Sequence, residues 1–339
     1  LAKVVDKYPQ LFERLEQAAA CEAYQSNVDY ADGILVELDH VMQMRVCAWA
    51  LSAKALVNSY RGDGDLALAQ CETSLRLTNH LSGEPILISH LVNLACQGIA
   101  ILSANHTLRV TDTTPAARQS LDDVLAQMDN RQSLIDAFKG ERAFGLLTFQ
   151  QMRDGTLGAD EADAAGMRNI GLLSKVWLGQ AYLNDDEAKY IDLMNKQIEV
   201  AELPRAEREK IMDPLWDELE DSGLRHVLSR LLLPALNASV DATDRQDASI
   251  RCLRVLLALE GTDVTSLSDV ELPQATKTDP FSGNPLILRS VDDEWLIYSV
   301  GEDMTDDGGQ VYDTRLDQGL GPLLDPLPAD EDAVESDIP

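Results

Sequence analysis

The chain has 339 residues, 45% of them hydrophobic, and its 58 acidic against 28 basic side chains give a formal charge of −30. Such a length supplies one large or two medium cores and predicts about two domains. The charge balance disfavours nucleic acid and anionic membrane surfaces as partners, because binding phosphate needs clustered Lys and Arg.

Aromatic residues are scarce at 5%, while alanine and leucine abound, which favours helices. The first residues carry no signal-peptide pattern, and no apolar run approaches the ~20 residues of a membrane span. A start at Leu1 in place of Met leaves room for an upstream segment removed from the chain. Cysteines 21, 47, 71, 96 and 252 show neither C-x-x-C pairing nor metal-type clustering, so they read as small buried hydrophobes.

Residues 9–153 read as successive helices. Leu35, Leu38, Val41, Met42, Trp49, Leu56, Val57 and Tyr60 keep helical spacing until Arg61-Gly62-Asp63-Gly64 supplies a stop and a new cap. Leu68, Cys71, Leu75, Thr78 and Leu81 carry the next helix, which breaks at Ser82-Gly83-Glu84-Pro85. Ile86 to Leu102 is apolar nearly all round, the pattern of a central buried helix. Thr114-Pro115 opens another, and Asn130 opens one that runs to Asp154. The stretch from Gly155 to Gly166 reads as a linker, followed by helices near Asn169 to Tyr182 and Asp186 to Leu203. From Leu224 to Glu260 one long helix is expected, kinked or ended early by Pro234.

Two constellations lie on these helices. Arg142 sits four residues from both Phe138 and Leu146, so its guanidinium is aimed inward and needs a buried partner; Glu84 is the expected one, in an ion pair locking two helices. The alternative is a helical-bundle enzyme with a site near Glu84, His90 and Arg142. Glu37-Leu38-Asp39-His40 has di-iron spacing without the second copy, and His80 and His90 flank Glu84 without converging by spacing. Tyr60, Gly64 and Ala69 match one tetratricopeptide hairpin, and Leu178 to Tyr182 echo another, but the intervals do not repeat; a peptide-binding concave surface is a third possibility.

Near the end, Asp279-Pro280-Phe281-Ser282-Gly283-Asn284-Pro285 leads into two β-favouring runs, Leu286-Ile287-Leu288 and Trp295 to Tyr298, with the polar connection of a hairpin between them. Two strands alone are marginal, so they should pack on the helix around Asp247 to Glu260. After them, Ser299 to Gly309 offers carboxylates on Asp303, Asp306 and Asp307 and hydroxyls on Ser299 and Thr305, a donor set for a hard cation such as calcium. Asp303, Thr305, Asp307 and Gly308 fall at EF-hand positions, yet Thr314 stands where the bidentate Glu belongs, so an EF-hand proper is not expected. The other reading is a solvated Asp/Gly turn. The last residues, rich in Pro and acid, read as an extended tail, either a solubilising terminus or a docking strap for a partner or a neighbouring subunit.

The order Asp-Pro-Phe-x-Gly-x-Pro, strand, turn, strand ending Tyr-Ser-x-Gly, then Asp/Gly loop resembles the C-terminal region of the major pseudopilin of type II secretion systems. That resemblance implies calcium held by Ser299, Asp303, Asp306 and Asp307 with backbone oxygen near Val300. Met304 departs from it, standing where the family usually has Gly, and the hydrophobic prepilin helix is missing. A second resemblance, carried by Leu75-x-Leu77-Thr78, Glu84-Pro85, Lys139-Gly140-Glu141-Arg142-Ala143 and Leu231 to Ala235, is to a group of uncharacterised bacterial proteins with an N-terminal membrane helix. It implies an envelope protein on the extracytoplasmic face of the inner membrane, attached only through the missing N-terminal segment.

The expected architecture is mainly α: stacked antiparallel helices, tetratricopeptide-like but irregular, with a small C-terminal β-hairpin module. Its parts are a helical array over 1–154, a second helical region over 155–260, a pseudopilin-like hairpin and loop over 261–317, and an acidic tail over 318–339. The expected function is a non-catalytic envelope scaffold or assembly subunit with a structural calcium loop, working with a protein partner or as a homo-oligomer.

Overall fold

Good helix formers make up nearly half of the chain, and helix dominates the outcome. The computed structural model describes residues 1–30, 36–154, 177–223, 225–311 and 316–322. Over these the protein is mainly helical, with a small three-stranded antiparallel sheet near the C-terminus.

The first seven helices are α1 (Ala2–Val5), α2 (Pro9–Ala19), α3 (Asp39–Tyr60), α4 (Gly64–Thr78), α5 (Leu87–Val110), α6 (Pro115–Leu125) and α7 (Asn130–Asp154). Their starts follow the local chemistry: Pro115 opens α6, and the Thr114 hydroxyl accepts the N–H of Ala117. The expected linker and the helix start near Asn169 lie outside the described residues, as do Leu35 and Leu224. Then come α8 (Trp177–Val200), α9 (Arg205–Asp221), α10 (Val227–Leu232) and α11 (Pro234–Leu259).

One expectation is corrected here and one alternative is decided. Tyr182 and Asp186 lie within one continuous helix, α8, because nothing between them stops one. Asp186 caps a different helix: its carboxylate accepts the backbone N–H groups of Leu228 and Ser229, at 2.9 and 3.1 Å, where α10 begins. Of the two outcomes expected at Pro234, a kink or an early end, the chain takes the second: α10 stops at Leu232 and α11 opens at Pro234, since proline cannot donate to the preceding turn.

Helix α5 packs on α3, α4, α7 and α11, in the central place its composition requires. The expectation that no apolar run approaches a membrane span is corrected for this helix: Leu87–Val110 is long and apolar enough to cross a membrane, with a mean hydropathy of 1.6, and 61% of that stretch is buried inside the fold.

The hairpin forms as expected, with β1 (Ile287–Val291) and β2 (Glu294–Ser299) paired from Ile287↔Tyr298 to Val291↔Glu294. Asp292 and Asp293 make its turn, both at positive φ, 50° and 67°. A third strand, β3 (Gln318–Leu320), pairs antiparallel with β2 through Ile297↔Leu320. Residues 318–320 were expected in the tail, and pairing with an otherwise open strand edge is what recruits them.

One core cluster joins Leu68, Leu75, Ile101 and Leu125 of α4 to α6 with Leu253 and Leu257 of α11 and with Leu286, Ile297 and Leu320 of the sheet module. It therefore crosses the boundaries expected at 154 and 260. A second cluster sets Phe138 and Phe149 of α7 against Tyr190 and Met194 of α8, and a third packs Phe12 and Leu15 of α2 on Leu51 and Val57 of α3.

Candidate cation site

The loop after β2 is built by backbone capping. Asp279, only 2% exposed, accepts from the N–H of Phe281 (2.8 Å) and the hydroxyl of Ser282 (2.9 Å), so the Asp-Pro-Phe-Ser segment folds on its own carboxylate. The same carboxylate accepts the Ser299 hydroxyl at 2.6 Å and the Val300 N–H at 3.1 Å, which fastens the end of β2 to that segment.

Ser299, expected among the ligands, is placed by these bonds in the support of the loop. It donates to Asp279 and accepts the N–H of Gly301 at 3.2 Å, so its hydroxyl is engaged in holding the end of β2. Asp303 accepts the Thr305 N–H at 2.9 Å, and one oxygen of Asp306 accepts both the Tyr298 hydroxyl (3.0 Å) and the Gly308 N–H (2.9 Å). Both residues stay exposed. Met304, where the resembling family has Gly, takes the left-handed conformation at φ 61°, a region costly for a side chain and free for glycine.

Two oxygens are left over. Asp307 Oδ2 is buried with no hydrogen-bond partner, and so is Oδ1 of Asp317, a residue wholly withdrawn from solvent. The other oxygen of Asp317 accepts the Gly309 N–H at 2.7 Å. Burial raises both carboxyls above the usual range. Asp317 is pushed up to about 6, with Asp306 and Asp307 adding to the effect while the N–H groups of Gly309 and Asp307 oppose it. For Asp307 the repulsion of Asp303 and Asp306 adds to burial. A carboxylate held in this way is costly unless it takes up a proton or a cation.

Those orphaned oxygens fit a hard cation, which Asp307 and Asp317 would hold. Among the described residues no group of three His, Cys, Asp or Glu side chains is gathered as a finished metal cage. Asp317 escaped sequence reasoning because it sits eight residues beyond the loop, in a stretch that gives no sign of burial.

The expected pair of Glu84 and Arg142 does not form. Glu84, 5% exposed, bonds His40 Nε2 at 2.8 Å and accepts the Ser89 hydroxyl at 2.6 Å. Arg142 leaves α7 sideways and donates to Asn195 of α8. A guanidinium on a long stem can choose among several directions from one helical position, and the spacing to Phe138 and Leu146 did not fix which.

His90 is fully buried between the hydroxyls of Ser133 (3.0 Å) and Thr243 (2.9 Å), and burial lowers its pKa to about 4. Glu84, His90 and Arg142 thus serve three separate sets of partners. His80 bonds the Ala18 carbonyl at 3.3 Å and lies beside the Tyr24 ring, with centroids 5.8 Å apart.

A buried ionic network went unread in the sequence. Asp244, inaccessible to solvent, accepts from Arg131 of α7 and Arg208 of α9, and Asp241 takes Arg205 at 2.6 Å. A polar cleft opens beside it, lined by Gln197, Arg205, Arg208, Trp216 and Asp241. Arg205 pairs with Asp241 and Glu209, and Arg208 with Asp244, so the two arginines that line the cleft are already held in ion pairs. Of the cysteines, Cys71, Cys96 and Cys252 are buried as expected, Cys47 is partly covered and Cys21 is exposed; all five are free thiols. Comparison of the chain with known protein families, with curated proteins and with solved structures finds no match.

Proposed function

We propose that this protein is a non-catalytic scaffold or assembly subunit of the bacterial cell envelope, on the extracytoplasmic side of the inner membrane, whose C-terminal module is rigidified by a bound calcium ion. The observation that carries the proposal is the pair of orphaned carboxylate oxygens on Asp307 and Asp317. A divalent cation there would neutralise both, and would tie the loop after β2 to the start of β3. Calcium suits the site because its ligands are oxygens and its coordination tolerates an irregular loop.

The ligand set is revised from the sequence expectation. Asp307 and Asp317 carry the charge, Asp303 and Asp306 remain within the loop as capping groups that can add an oxygen, and Ser299 serves the scaffold. A scaffold role is further supported by apolar side chains exposed along α3 and α5, among them Met42, Val46, Trp49 and Leu102. Protein partners, or further copies of the chain, are the class of ligand such a surface admits.

Calorimetric titration with calcium tests the reading. The parent chain is expected to bind one ion, and Asp307→Ala with Asp317→Asn to abolish the heat. A parent that gives no binding at millimolar calcium would reduce the loop to a set of capped turns and remove the envelope argument built on it.

A further inference from the structure

The polar cleft beside Asp244 lies among three helices. Gln197 lines it from α8 and Asp241 from α11, while Glu209, Asp213 and Trp216 come from α9, where intervals of four and three keep them on one face. Its volume is about 110 Å³, room for roughly four groups of water size at ~30 Å³ each.

Two polar atoms of the lining have no partner within the protein. Gln197 is 2% exposed and its Oε1 receives no donor; the indole N–H of half-buried Trp216 meets no acceptor. Groups withdrawn from water in this way are costly until something pairs with them. A ligand that brings a donor to the first and an acceptor to the second removes both costs at once.

Charge selects the sign of that ligand. Three of the five charged groups in the lining are carboxylates and two are guanidiniums. Arg205 is held by Asp241 at 2.6 Å and Arg208 by Asp244, whereas Asp213 is exposed and enters no ion pair among the described residues. The spare charge is therefore negative, and the −30 of the whole chain draws cations towards it. A bare metal ion accepts no hydrogen bond and would leave the Trp216 N–H unanswered. An ammonium that shares a short chain with an oxygen answers both orphans.

We propose that this cleft is a binding site for a small amino alcohol. Its ammonium donates to Gln197 Oε1 and faces the carboxylate of Asp213, and its hydroxyl oxygen accepts the Trp216 N–H. A free amino acid fits less well, because it adds a carboxylate for which the lining has no uncommitted cation.

Nuclear magnetic resonance of the indole N–H groups tests the assignment on the full chain, with Trp216→Phe identifying the signal of Trp216 among the four tryptophans. Ethanolamine, added at fixed ionic strength and neutral pH, is expected to move that signal saturably in the millimolar range proper to so small a ligand. Ethylene glycol, which lacks the ammonium, and glycine, which adds the carboxylate, are expected to leave it in place. Gln197→Met keeps the length of the side chain without its acceptor and should abolish the saturable shift. Asp213→Asn, at an exposed position that leaves folding intact, should weaken binding about two- to fivefold, as loss of an exposed charge pair does. No saturable shift in the parent would overturn the proposal, as would an equal response to ethylene glycol or glycine. Asp213→Asn that titrates like the parent would overturn it too, whether or not Gln197→Met folds.

Discussion

Replacing Gly140 by alanine tests the packing of α7 against the start of α5. In an open helix that change stabilises by about 1 kcal/mol, the propensity difference between the two residues. Here a Cβ at position 140 would stand 1.7 Å from the carbonyl oxygen of Pro85 and 3.1 Å from its Cβ. Ordinary contact is near 3.4 Å or more, so the two backbones must separate by well over 1 Å, and backbone cannot swing aside as a side-chain tip does. Forcing a methyl into a packed site costs about 1–3 kcal/mol. Moving α7 also strains the neighbouring bond from the Leu87 N–H to the Glu141 carboxylate, 2.9 Å in length, for roughly 1 kcal/mol more.

Gly140→Ala is therefore expected to destabilise by about 1–3 kcal/mol in net. Gly98, in mid-α5, provides the control: a Cβ there meets nothing nearer than Gln246 Oε1 at 3.6 Å, so Gly98→Ala should gain about 0.5–1 kcal/mol. Urea unfolding followed by circular dichroism separates the two. With a slope near 3 kcal/mol per molar, their midpoints should differ by roughly 1 M. Should Gly140→Ala prove as stable as Gly98→Ala, the close passage of α7 over Pro85 is wrong.

Two further outcomes follow from the polar groups. Glu84→Ala, which strips a buried acceptor from His40 and Ser89, is expected to cost about 2 kcal/mol in urea unfolding, while Arg142→Ala at the α7 and α8 boundary costs under about 1 kcal/mol; equal, coupled losses in the double variant would restore the Glu84 and Arg142 pair. Two buried groups set opposite pH trends. His90, lowered to about 4, contributes stability that is present above its unfolded pKa near 6.5 and is lost as pH falls towards 4, so His90→Gln should flatten the acid limb of a stability profile between those values. Asp317, raised to about 6, holds a proton more tightly folded than unfolded, so in metal-free protein it destabilises increasingly as pH rises from 4 to 6; thermal melts of Asp317→Asn relative to the parent should improve over that window, and parallel curves would refute its burial.

The sequence by itself determined where helices begin and end wherever a local breaker or cap marks them. Asn130 to Asp154, Thr114-Pro115 and the interruption at Pro234 all depend on neighbours within one turn. It also determined the hairpin and the helix beneath it, since Ile250, Leu253 and Leu257 form one stripe that must bury against something. The tertiary structure alone decided the partners of polar side chains. Glu84 finds His40 at a separation of 44 residues, and Gly309 finds Asp317 across a loop, because hydrogen bonds are set by direction in space and carry no periodicity along the chain. The three-residue strand Gln318 to Leu320 belongs with them: too short for an alternating pattern, it is a strand only because the free edge of β2 supplies the backbone groups it pairs with.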